Sequence, residues 1–158
     1  MSTIVLASIC GAPGVTTTTI GLGRGWPRPS RVVEADTHQA VLAGYLRAPQ
    51  HAEPHLASVT NLTHSSSNVA QIVWDSIARP LPGDDPHGLR RMAVLGPSTP
   101  WSKAAIDAGW GALMKVWRQL EEAGIDTLID WGRLANPLTS NPHLIAEPII
   151  AHADKILV

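Results

Sequence analysis

Residues 3–19 read Thr3-Ile4-Val5-Leu6-Ala7-Ser8-Ile9-Cys10-Gly11-Ala12-Pro13-Gly14-Val15-Thr16-Thr17-Thr18-Thr19. Thr3 to Cys10 is short, apolar and partly β-branched, the pattern of a strand buried on both faces. Gly11-Ala12-Pro13-Gly14 breaks that run. Thr16 to Gly23 then predicts a short helix with Ile20 and Leu22 turned inward. A glycine-rich turn from a buried strand into a helix N-terminus makes an anion cradle, because backbone N–H groups converge there and the helix dipole adds positive potential. The same segment also reads as a plain strand-to-helix turn with Thr16 to Thr19 acting as caps.

Working outward, strands and helices alternate. Arg31 to Ala35 predicts a second strand ending at Asp36, and His38 to Leu46 a helix with Val41, Leu42 and Tyr45 on one face. Residues 47–66 read as loop. Asn68 to Ile77 has helical spacing, Leu81 to Gly88 reads as a turn or exposed loop, and Arg91 to Gly96 predicts a third strand. Ser102 to Ala123 predicts a helix with the stripe Ile106, Trp110, Leu113, Trp117 and Leu120, an N-cap at Ser102 and a C′ glycine at Gly124. Thr127 to Asp130 and Lys155 to Val158 predict two more strands, with helical sequence from Pro142 to Ala153 between them. This order implies a Rossmann-like α/β domain, a mostly parallel sheet of about five strands with helices on both faces.

The chain has 158 residues, the length of one ordinary domain, and 44% of them are hydrophobic, enough to fill a core. Twelve Lys and Arg against 13 Asp and Glu leave a net charge of -1, which gives no global electrostatic drive toward nucleic acid or an anionic membrane. Charged residues are only 16%, so part of the surface is expected to be covered by a partner or by missing sequence. Trp26, Trp74, Trp101 and Trp131, near loops or helix ends, suit such an interface. Cys10 is the single cysteine, which excludes a disulfide framework and a Cys-rich zinc site. His51 and His55 are four apart but flank Pro54 and lack a His-Glu-x-x-His pattern, so no transition metal is expected. No apolar run is long enough to cross a bilayer and no signal peptide is evident, which makes a cytoplasmic protein the default expectation.

Set against the P-loop pattern Gly-x-x-x-x-Gly-Lys-Ser/Thr, Gly11 takes the first glycine, Thr16 the second, Thr17 the lysine and Thr18 the magnesium-ligand hydroxyl. With Val-Val-Glu-Ala-Asp at 32–36, Thr-Leu-Ile-Asp at 127–130 and Ala-Asp-Lys-Ile-Leu-Val at 153–158 in collinear order, the chain resembles the ParA/MinD-type P-loop ATPases. That group includes the CpaE/TadZ pilus-assembly proteins. Trp26-Pro27 and Asp130-Trp131-Gly132-Arg133-Leu134 resemble an actinobacterial subgroup. The resemblance implies one P-loop domain over 1–158, with further family strands expected after Lys155 and hence an unfinished sheet edge. It also implies ATP and Mg at a loop formed by Gly11, Ala12, Pro13, Gly14, Val15, Thr16, Thr17, Thr18 and Thr19. Thr18, Asp36 and Asp130 would be the magnesium ligands, and Asp36 the catalytic carboxylate. Read from the residues alone, Asp36 is equally an N-cap, Asp130 a turn cap and Glu34 a structural salt-bridge residue.

The departures are specific. The family's signature lysine falls on Ala12, its phosphate-binding lysine on Thr17 and a loop glycine on Thr16. Losing one charge-assisted contact costs about 1.5–3 kcal/mol, or roughly 10- to 150-fold in affinity. Two such losses argue for weak or absent ATP hydrolysis. The chain then reads as a binding, scaffolding or assembly component of a bacterial positioning, partition, secretion or pilus-like system, recruited from the cytoplasm to a membrane-associated assembly. An active ATPase and a self-assembling structural subunit are the alternatives.

Overall fold

The computed structural model describes residues 2–8, 14–36, 41–47, 69–72, 78–83, 92–94, 114, 116–133 and 151–158. Gly11 to Pro13, His38, His51, His55 and the helical stretches read at 102–113 and 142–150 lie outside them. Six strands are described: β1 (Thr3–Ser8), β2 (Ser30–Glu34), β3 (Arg79–Pro80), β4 (Met92–Val94), β5 (Asp126–Arg133) and β6 (Lys155–Leu157). The helices are α1 (Val15–Gly25), α2 (Leu42–Tyr45), α3 (Val69–Ile72) and α4 (residues 116–122). The strand order is β3-β4-β2-β5-β1-β6, and every pair is parallel except β3 with β4. The mostly parallel α/β reading holds, with one strand more than expected. The addition is β3, a two-residue antiparallel edge, where Pro80 is tolerated because an edge strand needs fewer backbone donors.

The two faces of the sheet differ in chemistry. On one, Ala93, Val32, Leu128 and Ile4 stand in register across β4, β2, β5 and β1, all buried. Helix α1 lies over this row. Its contact residue is Gly23, where an added Cβ would sit 2.5 Å from Val32 Cγ2 and 3.1 Å from Leu81 Cδ1. Ile20, read as an inner residue, is buried in this core, and Leu22, also read as inner, is half-buried and packs against it.

The opposite face carries a polar row, Arg31, Thr127 and Thr3, in register on β2, β5 and β1 and all buried. Helix α4 covers it with Val116, Trp117 and Leu120. Arg31 Nε donates to Thr127 Oγ1 at 3.0 Å, and its guanidinium carbon is 5.8 Å from the Trp117 ring centre. Thr3 Oγ1 donates to Glu121 Oε1, and Glu121 Oε2 lies 3.6 Å from His152 Nε2.

Helix α4 stops where the sequence says it should. Gly124 has φ 92, its N–H bonds Glu121 O at 3.0 Å, and Ile125 N–H bonds Leu120 O at 2.9 Å. That pair of bonds is a Schellman motif, with Ile125 against Leu120 as its apolar contact. It delivers the chain into β5 at Asp126, which is fully buried. The Asp126 carboxylate accepts Ser2 N–H at 2.8 Å and Trp26 Nε1–H at 2.7 Å, and pairs with Arg28 Nε at 2.7 Å. The Trp26-Pro27 pair is thus a tie between the end of α1 and the start of β5.

Candidate functional site

In an open α/β sheet, ligands collect beyond the C-terminal strand ends where the strand order reverses. Here β1 is that point. The chain leaves β1 toward β2 on one side and returns to set β5 and β6 against its two edges. Helix α1 begins at this end. Gly14 precedes it with φ 121, a conformation that favours glycine, and Thr18 N–H closes the first turn onto Gly14 O at 2.7 Å. Among the described residues no side chain caps this N-terminus, and its first turn contains no acidic residue. Its orphan N–H groups therefore remain available to an acceptor.

Helical rotation sends the four threonines to different places. Thr16 is half-buried and its hydroxyl bonds the Asp130 carboxylate. Thr17 is exposed, with Oγ1 2.6 Å from the Tyr45 hydroxyl. Thr18 is exposed. Thr19 is fully buried and donates to Val15 O at 2.8 Å, so it is a packing residue. The hydroxyl that meets Asp130 is that of Thr16, two positions before the one the loop alignment assigns to magnesium.

Asp130 stands in register with Leu6 of β1 and Glu34 of β2 and is 1% exposed. The strand continues three residues past it, through a bulge. Leu6 pairs with Asp130 but Ala7 with Gly132, which leaves Trp131 as the extra residue. Bulges re-aim side chains and are frequent beside functional sites. At this one Gly132 has φ 67, and its N–H donates to Asp130 Oδ1 at 3.1 Å. Asp36 packs against Gly132 so closely that a Cβ there would overlap its carboxylate. The bulge thus brings Asp36 and Asp130 together. Burial pushes the Asp130 carboxyl above its ordinary value, the bonds from Thr16 and Gly132 oppose the shift, and the Asp36 charge adds to it. Asp130 Oδ2 has no hydrogen-bond partner among the described residues.

Glu34, read as a salt-bridge residue, is 1% exposed, and its Oε1 accepts the N–H groups of Val41 at 2.5 Å and Leu42 at 2.7 Å. It caps α2 from a neighbouring strand. Of the three residues expected on the inner face of this helix only Leu42 is buried; Val41 and Tyr45 are exposed. One turn of helix can turn only one side chain fully inward at this spacing.

Asp36 and Asp130 supply hard oxygen donors, the chemistry that suits Mg²⁺ rather than a thiophilic metal. Among the described residues, no three His, Cys, Asp or Glu side chains cluster, so such a cation would take further oxygens from hydroxyls or from its ligand. Also among the described residues, no helix is long and apolar enough to cross a membrane.

The fold is that of a Rossmann-like α/β protein in which helix α1 begins at the topological switch point of the sheet. Solved structures with the same fold include Cyanothece McdA without ligand (19% identity, TM-score 0.61, 99% of this chain and 56% of that one). A Cyanothece McdA variant in complex with ATP matches with 19% identity, TM-score 0.64, and coverage of 99% and 55%. The septum site-determining protein MinD of Pyrococcus horikoshii, in complex with Mg-ADP, matches with 21% identity, TM-score 0.61, and coverage of 99% and 57%. The chain spans a little over half the length of these structures. No family model and no curated protein matches the sequence.

Proposed function

We propose that residues 1–158 form a ParA/MinD-like module with a degenerate phosphate loop. It acts as a binding or scaffolding component of a bacterial positioning, partition, secretion or pilus-like assembly, with weak or no ATP hydrolysis. It works in the cytoplasm, through a protein partner or a second copy, with recruitment to a membrane-associated assembly. The fold shared with McdA and MinD supports the ancestry. One observation carries the loss of turnover: the first turn of α1 presents hydroxyls and no cation, its only basic residue being Arg24 in the last turn. Phosphoryl transfer depends on positive charge placed at the transferring group. A neutral cradle of backbone N–H groups and threonine hydroxyls can hold phosphate oxygens without supplying that charge.

Asp36 and Asp130 would hold Mg²⁺ with the Thr16 hydroxyl beside them, in place of Thr18, which helical rotation turns away; the ion would neutralise phosphate charge. Calorimetric titration with ATP–Mg alongside a phosphate-release assay tests the reading. Weak binding without turnover is expected. Micromolar binding with steady phosphate release would replace it by the second reading, an active ATPase. The buried Asp130 Oδ2, without a partner among the described residues, favours that alternative, because it is an acceptor in need of a cation or a proton. In that case Asp130→Asn and Thr16→Ala should each abolish release.

A further inference from the structure

Helix α2 is fixed more firmly than four residues of chain ordinarily are. A one-turn helix has little stability of its own. Here the buried carboxylate of Glu34 takes two of its N-terminal N–H groups, and Leu42 is fully buried. Removing a carboxylate from water is costly unless such bonds repay it. The product of this arrangement is the position of Tyr45. Its ring is 47% exposed, so burial does not place it, yet its hydroxyl is 2.6 Å from Thr17 Oγ1 on the first turn of α1. Beside that turn, next to Thr16, stands Asp130 with Oδ2 unpartnered among the described residues and the residue 1% exposed. An uncapped helix N-terminus and a buried, unsatisfied acceptor adjoin one another, and Tyr45 closes onto the same turn.

We propose that Tyr45 is a ligand-binding residue for a nucleoside di- or triphosphate seated on the N-terminus of α1. Either hydroxyl of the Thr17–Tyr45 pair can donate. An anionic ligand selects one direction: Thr17 donates to the phenol oxygen, and the phenol donates to a phosphate oxygen. Each bond of such a chain polarises the next. The pair thereby supplies a neutral donor, without its charge, where the loop lacks an ammonium at Thr17. This inference rests on reading the crevice as a nucleotide loop.

Tyr45 is the only tyrosine in the chain, so biosynthetic 3-fluorotyrosine gives a single ¹⁹F resonance. The full chain is titrated with ATP–Mg, following that resonance and the calorimetric isotherm together. The resonance should move and saturate at the calorimetric midpoint. Tyr45→Phe and Thr17→Val should each weaken binding about 3- to 10-fold, the range for one neutral hydrogen bond, with unchanged circular dichroism. Calorimetric binding with an unmoved resonance and unchanged affinity in both variants would overturn the role of Tyr45 and leave the nucleotide reading standing. No binding heat up to millimolar ATP–Mg would overturn the nucleotide reading, and this inference with it.

Discussion

Replacing Arg31 by methionine should make the protein more stable. Arg31 is 1% exposed, and its Nη1 and Nη2 have no hydrogen-bond partner among the described residues. Burial lowers its pKa from the ordinary arginine value to about 9, against the opposing pull of the Glu121 carboxylate. A shift of that size corresponds to about 5 kcal/mol of destabilised charge in the folded state. Methionine of similar length removes that cost. It also gives up the bond to Thr127, about 1–1.5 kcal/mol, and the attraction to the Trp117 ring, about 1–2 kcal/mol. The balance favours Arg31→Met by about 1–3 kcal/mol, in line with the general finding that apolar isosteres of buried charges are neutral or stabilising. Urea denaturation at pH 7 should show a higher midpoint with an unchanged slope, and the melting temperature should rise by about 3–8 °C. The pH dependence supplies a second check. Above about pH 9 the folded arginine loses its proton while the unfolded one keeps it, so raising the pH stabilises the wild type and closes the gap to the variant. A variant less stable than wild type at pH 7 by more than about 1 kcal/mol, or a gap unchanged from pH 7.5 to 10.5, would refute the reasoning. Either result would mean that the Glu121 and Trp117 contacts outweigh desolvation.

Asp126→Ala should lower stability by about 3–5 kcal/mol, read by thermal unfolding, because it strips partners from Ser2, Trp26 and Arg28 at a fully buried position. Gly132→Ala should cost about 1–2 kcal/mol for its left-handed backbone alone. It should also displace Asp36, read as weaker Mn²⁺ binding by electron paramagnetic resonance; unchanged Mn²⁺ affinity would separate Asp36 from the cation site. Asp130→Asn should stabilise the protein at neutral pH. A carboxyl whose folded pKa is raised loses stability as pH climbs from 3.8 through the folded value, so the gain should vanish below about pH 4 in urea titrations.

Which parts of this fold were legible follows from how far apart the interacting residues are. β1, β2, β5 and β6 were readable as β-branched or apolar runs bounded by Gly, Pro or Asp, and the end of α4 was readable from Gly124 alone. β3 was not, since Arg79-Pro80 carries no periodicity and pairs only because β4 offers it an edge. The bulge at Trp131 leaves no mark in the alternation of β5; it exists only relative to β1. The buried row Arg31, Thr127 and Thr3 looks like ordinary solvent-facing polarity until α4 covers it. At the site, the loop and the acidic residues announced themselves by local pattern. Tyr45 and Glu34 did not, because the Tyr45–Thr17 contact spans 28 residues and the Glu34 cap depends on where α2 is carried by the fold. The Asp-x-Gly spacing at 130–132 was the one available hint of the turn that seats Asp36.

The strand order has a consequence for how the protein is made. β1 leaves the ribosome well before both of its neighbours, β5 and β6. The bond from Ser2 to Asp126 spans 124 residues, and that from Thr3 to Asp154 spans 151. At 5–20 residues per second, β1 waits on the order of ten seconds before β5 is synthesised. During that interval an apolar strand with two open edges is held apart from its partners. Pairing of β1 therefore waits for β5 and β6, and the nascent chain depends on whatever shields β1 until then.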